Sequence, residues 1–420
     1  MRTPPEVAIR RLAISRFVSV TGSMAAYTAL IDLIFERTGG SSLYLSLSIV
    51  LTIGAVGLFE PLGGVVADRF DRKRTLIWSD LAGAVLFVVL VFIEAPPLLL
   101  AVALLTAIAE TPFRAGSVAA IPELVDDERL IAKANGWMGV GSNLGITLGP
   151  AIGGLLVGWI DAGPVFALNA ATFIVSSGLV WSIEAPFGGA GSGASRASTL
   201  RDAGTGGGDG GLTAGFAFIR RDRVVGVVTV SWMVLLLGMG LGIVADRPVA
   251  DVFDVGSVGF GLMLGIWGLG SVVGSWAASR MTAASEPPML VAGFVVAGLA
   301  GIGIGVSPVF GLVLVGNFVW GLGDALTVVA EQGIIQRRTP DAIRGRVVAA
   351  NEGLAHLALV AGFLASGPVI AAFGAQRTYA VGGVTALAAG AVAATVLPAA
   401  RARLERSSFS NDNGRNGRGH

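Results

Sequence analysis

The chain contains no cysteine, which excludes disulfides, thiolate metal sites and cysteine nucleophiles. It has two histidines, His356 and His420, too few for a multi-histidine metal centre. Charge is scarce as well. Only 14% of the 420 residues are Asp, Glu, Lys or Arg, against about 25% in a soluble domain. The net charge is +1, so no polybasic field argues for nucleic acid. No Gly-x-x-x-x-Gly-Lys-Ser/Thr loop offers an ATP site. Neither a metal nor an organic cofactor is expected. Apolar residues dominate instead, at 53% of the chain with a mean hydropathy of +0.75. A water-soluble protein of this length needs more polar surface than that. The apolar excess runs through most of the chain, which excludes a single-pass or peripheral protein.

A membrane-spanning helix needs about 20 mainly apolar residues. Twelve such stretches are predicted, near 14–35, 43–66, 75–94, 97–120, 134–158 and 163–183, then 224–245, 257–279, 288–306, 308–331, 347–372 and 377–397. The first lacks a small-residue cleavage site and is read as a true span. The expected fold is an all-α integral membrane protein. Lys and Arg set the orientation. Of the 29, Arg37, Arg247 and Arg377 lie on one side, Arg114 lies inside span 4, and the remaining 25 share the side of both termini. Both termini are therefore expected in the cytoplasm of a multi-pass plasma (inner) membrane protein.

Residues 185–212 are rich in Gly, Ser and Ala and read as a flexible linker. They divide the spans six and six, into an N-terminal bundle (1–184) and a C-terminal bundle (224–398). Leu212, Phe216 and Ile219 then fall at helical spacing beside Arg220, Arg221 and Arg223. That pattern predicts a short amphipathic helix on the cytoplasmic interface, so the connecting region is 185–223. The polar stretch 399–420 reads as a disordered tail. The halves resemble repeats. Arg69 aligns with Arg280 at a separation of 211 (280 − 69), and Asn135 with Asn351 at 216 (351 − 135). Duplicated halves suit a transporter whose site lies between two bundles.

Two motifs carry mechanism. In GGVVADRFDRKR, Gly64 permits close helix approach. Asp68 sits unfavourably at a helix C-terminus and calls for a partner, and Arg69, Arg72 and Lys73 follow. Such a charge can latch one side of a transporter and break on opening. In span 5, Gly136, Gly145, Gly149-Pro150 and Gly153-Gly154 recur in GWMGVGSNLGITLGPAIGG. Gly141, Gly145, Gly149 and Gly153 share a helical face that permits tight backbone contact, and Pro150 can kink the helix.

On these residues the chain resembles the major facilitator superfamily, with two six-helix pseudo-repeat bundles. Gly64, Asp68, Arg69, Arg72 and Lys73 match its loop between spans 2 and 3, with Asp71 where the general pattern has glycine. Asp-Arg-Phe-Asp-Arg and the segment 334–353 are similar to the branch containing macrolide efflux proteins and enterobactin exporters. The span 5 spacing resembles the motif typical of its drug–proton antiporters, which implies export.

Ionisable residues inside the membrane are costly and default to functional hypotheses. Asp32 falls in the outer third of span 1. Glu110 and Arg114 are four apart on span 4 and share a face. Asp324 lies in span 10. These four are the proton-coupling candidates. Glu352 and His356 form a second i, i+4 pair, with Glu352 placed in solvent. Trp232, Trp267 and Trp320 are candidates for lining a substrate cavity. The expected function is proton-driven export of an amphipathic small molecule, such as a drug, antibiotic or siderophore, by a monomer in the lipid bilayer. A nutrient symporter, a lipid translocator or a non-transporting sensor are the alternatives.

Overall fold

The computed structural model describes residues 3–125, 127–185 and 211–416, with backbone alone from 396 onward. Among the described residues, twelve helices are long and apolar enough to cross a membrane. In the first half they are Pro5–Arg37, Ser42–Arg69, Arg72–Val91, Pro96–Ala119, Arg129–Ile160 and Ala162–Trp181. In the second they are Arg223–Val252, Gly256–Ala278, Glu286–Gly305, Phe310–Arg338, Asp341–Phe373 and Ala375–Thr395. Helices satisfy their own backbone polar groups, which lipid cannot do.

The ends follow local chemistry. Asp71 caps span 3 by accepting from the Arg74 amide at 2.8 Å. Asp222 caps span 7 by accepting from the amides of Val224 and Val225, both at 3.0 Å. Proline opens spans 4 and 9, where a missing amide hydrogen costs nothing. Gly374, with φ +85°, makes the turn between spans 11 and 12. Span 5 runs unbroken through Pro150. The final helix continues to Asn416, whereas composition predicts a disordered tail from 399. The run AARARLER (399–406) is built of strong helix formers, which favours continuing the helix through its first turns beyond 398.

The two halves repeat one pattern. Ser42, Arg72 and Pro96 open spans 2, 3 and 4; Gly256, Glu286 and Phe310 open spans 8, 9 and 10, each 214 residues on (256 − 42, 286 − 72, 310 − 96). Neighbours repeat too. Span 1 packs on 5 and 6, span 2 on 4, and span 3 on 4 and 6. Span 7 packs on 11 and 12, span 8 on 10, and span 9 on 10 and 12. Between halves, span 5 meets span 8 and span 2 meets span 11. At this register Asp32 corresponds to Asp246, and Glu110 to Asp324.

The linker itself lies outside the described residues up to 210. Beyond it, Gly211–Arg221 is the expected short helix. Ile219 and Gly215 are buried, with Gly215 against the Arg346 carbonyl of span 11, while Phe216 stays exposed.

The halves close at the end opposite the arginine-rich loops. A Cβ added at Gly154 would lie 2.9 Å from the Gly261 Cα, and one at Gly268 would lie 3.0 Å from the Thr147 Cα. Only backbone without side chains lets spans 5 and 8 cross this closely. Spans 2 and 11 touch near mid-membrane, where Gly57 lies against His356 and Gly54 against Val360. Towards the basic end the seams part. Gly136 and Gly139 of span 5, and Gly345 and Gly353 of span 11, have nothing within 4 Å of a Cβ position. Leu58, Leu62 and Val65 of span 2 are exposed.

Candidate functional site at the interface of the two halves

A cavity of about 270 Å³ lies between the halves. Span 1 contributes Met24 and Tyr27, span 5 Ile146 and Pro150, span 7 Met239 and Asp246. Trp267, Asn317, Trp320 and Tyr379 complete its far wall. Most of that wall is apolar. Asp246 is the one charged residue among the described residues that line it, and it is 3% exposed. The Tyr379 hydroxyl donates a hydrogen bond to Asp246 Oδ1. Tyr379 is fixed in turn by the edge of Trp320, with ring centroids 5.6 Å apart at 87°. Asn317 spends its amide on the Val313 carbonyl at 3.0 Å.

One residue along span 7, Arg247 reaches across to the other half. Its Nε donates to Asp32 Oδ1. The Ser257 hydroxyl donates to the second oxygen of Asp32 at 2.9 Å. The guanidinium lies 4.3 Å from the centroid of the Phe35 ring. Arg247 and Asp32 are 4% and 1% exposed. Sequence reading assigns Arg247 to an external loop; it is instead inside the protein. Span 7 runs seven residues past its predicted end at 245, to Val252, because the charges that lower its hydropathy are paired internally.

The family comparisons agree with this architecture. The sequence profile of the Major Facilitator Superfamily matches residues 12–283 and 246–416. The chain belongs to the major facilitator superfamily. It is 25% identical over 355 residues to the enterobactin exporter EntS of Shigella boydii serotype 18, covering 83% of this chain and 81% of that protein. The same identity and coverage hold for EntS of Escherichia coli O139:H28. Among solved structures, a mutant of the nucleoside transporter NupG superposes with a TM-score of 0.70 at 14% identity, covering 93% of this chain and 99% of that one. The human organic anion transporter MFSD10 gives 0.60 at 18% identity, covering 93% and 100%. These structural likenesses establish the fold. The chain is a multi-pass membrane transporter and not an enzyme.

The span 5 glycines pack closely against span 1. Cβ atoms added at Gly149 and Gly153 would lie 2.7 Å from the Thr21 carbonyl and the Ala25 Cα of span 1, and one at Gly145 would lie 2.8 Å from Val20 Cγ1. Gly154 faces span 8, while Gly136 touches nothing. In the loop motif, Asp68 does find a basic partner, but within its own half. Arg72 Nη2 bonds Asp68 Oδ1 at 2.9 Å, and Arg72 Nη1 bonds Glu123. Lys73 donates to the Ile183 carbonyl at 2.7 Å. The motif thus ties spans 2, 3 and 4 and the end of span 6 together. Arg69 is exposed, and Gly64 lies 3.9 Å from the Ala115 methyl by its Cβ position.

The other expected residues are dispersed. Glu110 and Arg114 share a small cavity, but the direct ion pair expected from their spacing is absent among the described contacts; Glu110 accepts from the Ser23 hydroxyl at 3.3 Å instead. Helical spacing brought the two to one face, and span 1 supplied a better-placed donor. Asp324 is 7% exposed and accepts no hydrogen bond from the described residues. Trp267 and Trp320 line the central cavity, and Trp232 packs in the core away from it. His356 Nδ1 lies 3.2 Å from the Glu352 carbonyl, and Glu352 is exposed. Asp246, Tyr27 and Tyr379 line the candidate site and are not among the residues expected from sequence. A further buried carboxylate, Glu331, accepts from Asn351 at 2.7 Å, and Asn351 accepts from Thr229 at 2.8 Å.

Proposed function

We propose that this chain is a proton-coupled exporter of an amphipathic small molecule, working by alternating access. The observation that carries the reading is the central cavity: a mainly apolar chamber between the halves with one buried carboxylate, Asp246, oriented by Tyr379. Apolar walls accept a hydrophobic body, and a convergent polar group fixes its orientation. Asp246 suits a cationic or hydrogen-bond-donating end of the solute. The solute class spans drugs, antibiotics and siderophores, and similarity to enterobactin exporters supports export and keeps a siderophore among them.

The charge asymmetry of the loops supports a cytoplasmic basic end, both termini included. On that orientation the chain is in an inward-open state, sealed outside by Asp32, Arg247 and the span 5–span 8 crossing. Asp32 then serves as the outer latch rather than as a proton site, while Glu110, Arg114 and Asp324 remain proton-coupling residues. Substrate and protons are the partners of a protein that works as a monomer in the inner membrane.

The test is reconstitution into liposomes with ethidium and enterobactin as alternative solutes. An imposed pH gradient drives at least one of them outward with opposite proton movement, reported by a trapped pH dye. Flux of neither solute, or flux indifferent to the gradient, contradicts the reading.

A further inference from the structure

A second cavity, of about 20 Å³, lies wholly inside the N-terminal half. Arg16 of span 1, Asp80 of span 3, and Glu110 and Arg114 of span 4 line it. Its size limits what it can hold. About 10–15 Å³ of such volume admits one water, so this cavity takes a water and no organic solute. Its charges limit the ligand further. Two guanidinium groups oppose a metal cation, and two carboxylates oppose an anion. Water and a proton are what remain.

The four side chains are unequally satisfied. Arg16 Nε donates to Ser142 Oγ at 3.1 Å, and Glu110 takes the Ser23 hydroxyl. Asp80 is 1% exposed; the Ser176 hydroxyl of span 6 lies near enough to interact with it, but neither carboxylate oxygen has a hydrogen bond of good geometry. Arg114 Nε has no hydrogen-bond partner either. Orphaned polar atoms at this depth are rare in folded proteins and call for an explanation. A water in the cavity supplies partners. Protonation also turns one Asp80 oxygen into a donor. The groups facing Asp80 are Arg16, Ser19 and Ser23 from span 1, Glu110 and Arg114 from span 4, and Phe173 with Ser176 from span 6.

Met24 of span 1 lines both this cavity and the central one. Its thioether is flexible, so the two chambers share a movable wall residue. We infer that Asp80, with Glu110 and the two arginines around it, forms a hydrated proton-binding site that is separate from the solute site at Asp246 and communicates with it past Met24. The inference deepens the proton-coupled reading and rests on it. The step is a single transfer: hydronium gives its proton to the Asp80 carboxylate and leaves water. With all four groups ionised the cluster is neutral, and with Asp80 protonated it carries +1. That added charge disfavours a cation in the neighbouring chamber, so proton and solute exclude one another, as exchange requires.

The experiment is an infrared pH titration of the full chain in lipid, paired with ethidium flux in liposomes. Acidification is expected to raise a carboxylic acid C=O band that Asp80→Asn removes, Glu110→Gln shifts and Asp246→Asn keeps. A band undiminished in Asp80→Asn overturns the assignment. Asp80→Glu guards against a folding failure: the band should persist at a displaced frequency, and an unmoved band overturns the assignment equally. Folded Asp80→Asn should lose pH-driven ethidium flux at least tenfold while keeping gradient-free exchange. Retained pH-driven flux sinks the inference and leaves proton coupling intact. Wild-type flux indifferent to pH sinks proton coupling, while an infrared band lost in Asp80→Asn would still mark the site.

Discussion

Asp32 and Arg247 are 215 residues apart in sequence and meet as a buried ion pair across the two halves. Removing one partner of a buried pair costs about 3–5 kcal/mol, because the other charge is left uncompensated. Asp32→Asn should therefore open the outer end. The absence of cysteine makes this directly measurable with spin labels at Glu94→Cys and Val306→Cys, both on exposed turns at that end. The distance distribution should lengthen in Asp32→Asn and shorten again when Asp32→Arg is combined with Arg247→Asp. An unchanged distribution in Asp32→Asn removes the latch.

The Gly154–Gly261 crossing seals the same end by shape rather than charge. Gly154→Leu forces spans 5 and 8 apart, at an overpacking cost of about 1–3 kcal/mol. The same label pair should report opening. Gly136→Leu, at a position where an added Cβ meets nothing within 4 Å, should leave the distance as in the wild type.

Arg72 and Asp68 differ in burial, and their substitutions should differ in kind. The Arg72 side chain is 9% exposed and also holds Glu123, so Arg72→Ala should lower the amount of folded protein. The Asp68 side chain is 48% exposed, and such a pair contributes about 1 kcal/mol or less. Asp68→Asn should leave abundance normal and reduce transport. Normal flux in that variant would remove the gating role of Asp68.

The cap of span 7 gives a pH dependence. Burial works to raise the Asp222 carboxyl, but the Arg338 hydrogen bond and charge, with the amides of Val225 and Val224, outweigh it and hold the group below its ordinary value. Arg338 binds both carboxylate oxygens, at 3.3 and 3.1 Å. A depressed carboxyl stabilises the fold fully above its unfolded value of about 3.9, and that contribution is lost as pH falls through the lower folded value. Asp222→Ala also removes a helix cap worth about 1 kcal/mol. Thermal unfolding in detergent should show Asp222→Asn less stable than wild type at pH 7, with the gap closing below about pH 4. A constant gap contradicts the ion pair's contribution.

Hydropathy was sufficient to find all twelve helices, because each buries or presents to lipid a long apolar face. The span 5 glycines were legible for a similar reason, since a stripe of bare residues on one face has few uses other than close packing. The site was harder to read. Asp246 and Arg247 interrupt hydrophobicity and so look like the end of span 7, although their partners on spans 12 and 1 keep them inside. Tyr379 carries no formal charge and leaves no hydropathy signal. Asp80 does leave one, a carboxylate within the apolar run LIWSDLAGAVLF. The Glu110–Arg114 spacing suggested a pair, but i, i+4 proximity fixes the face and not the partner, and Ser23 from another helix took the carboxylate.

Proton-driven passage of a solute through the chamber containing Asp246 is the proposal on which the rest depends. The most direct measurement is ethidium movement in liposomes under an imposed pH gradient, comparing wild type, Asp246→Asn and Tyr379→Phe. Wild type should show pH-driven movement, abolished by collapsing the gradient, reduced at least tenfold in Asp246→Asn and less severely in Tyr379→Phe. Ethidium movement undiminished in a folded Asp246→Asn protein, or unaffected by collapse of the gradient, would contradict it.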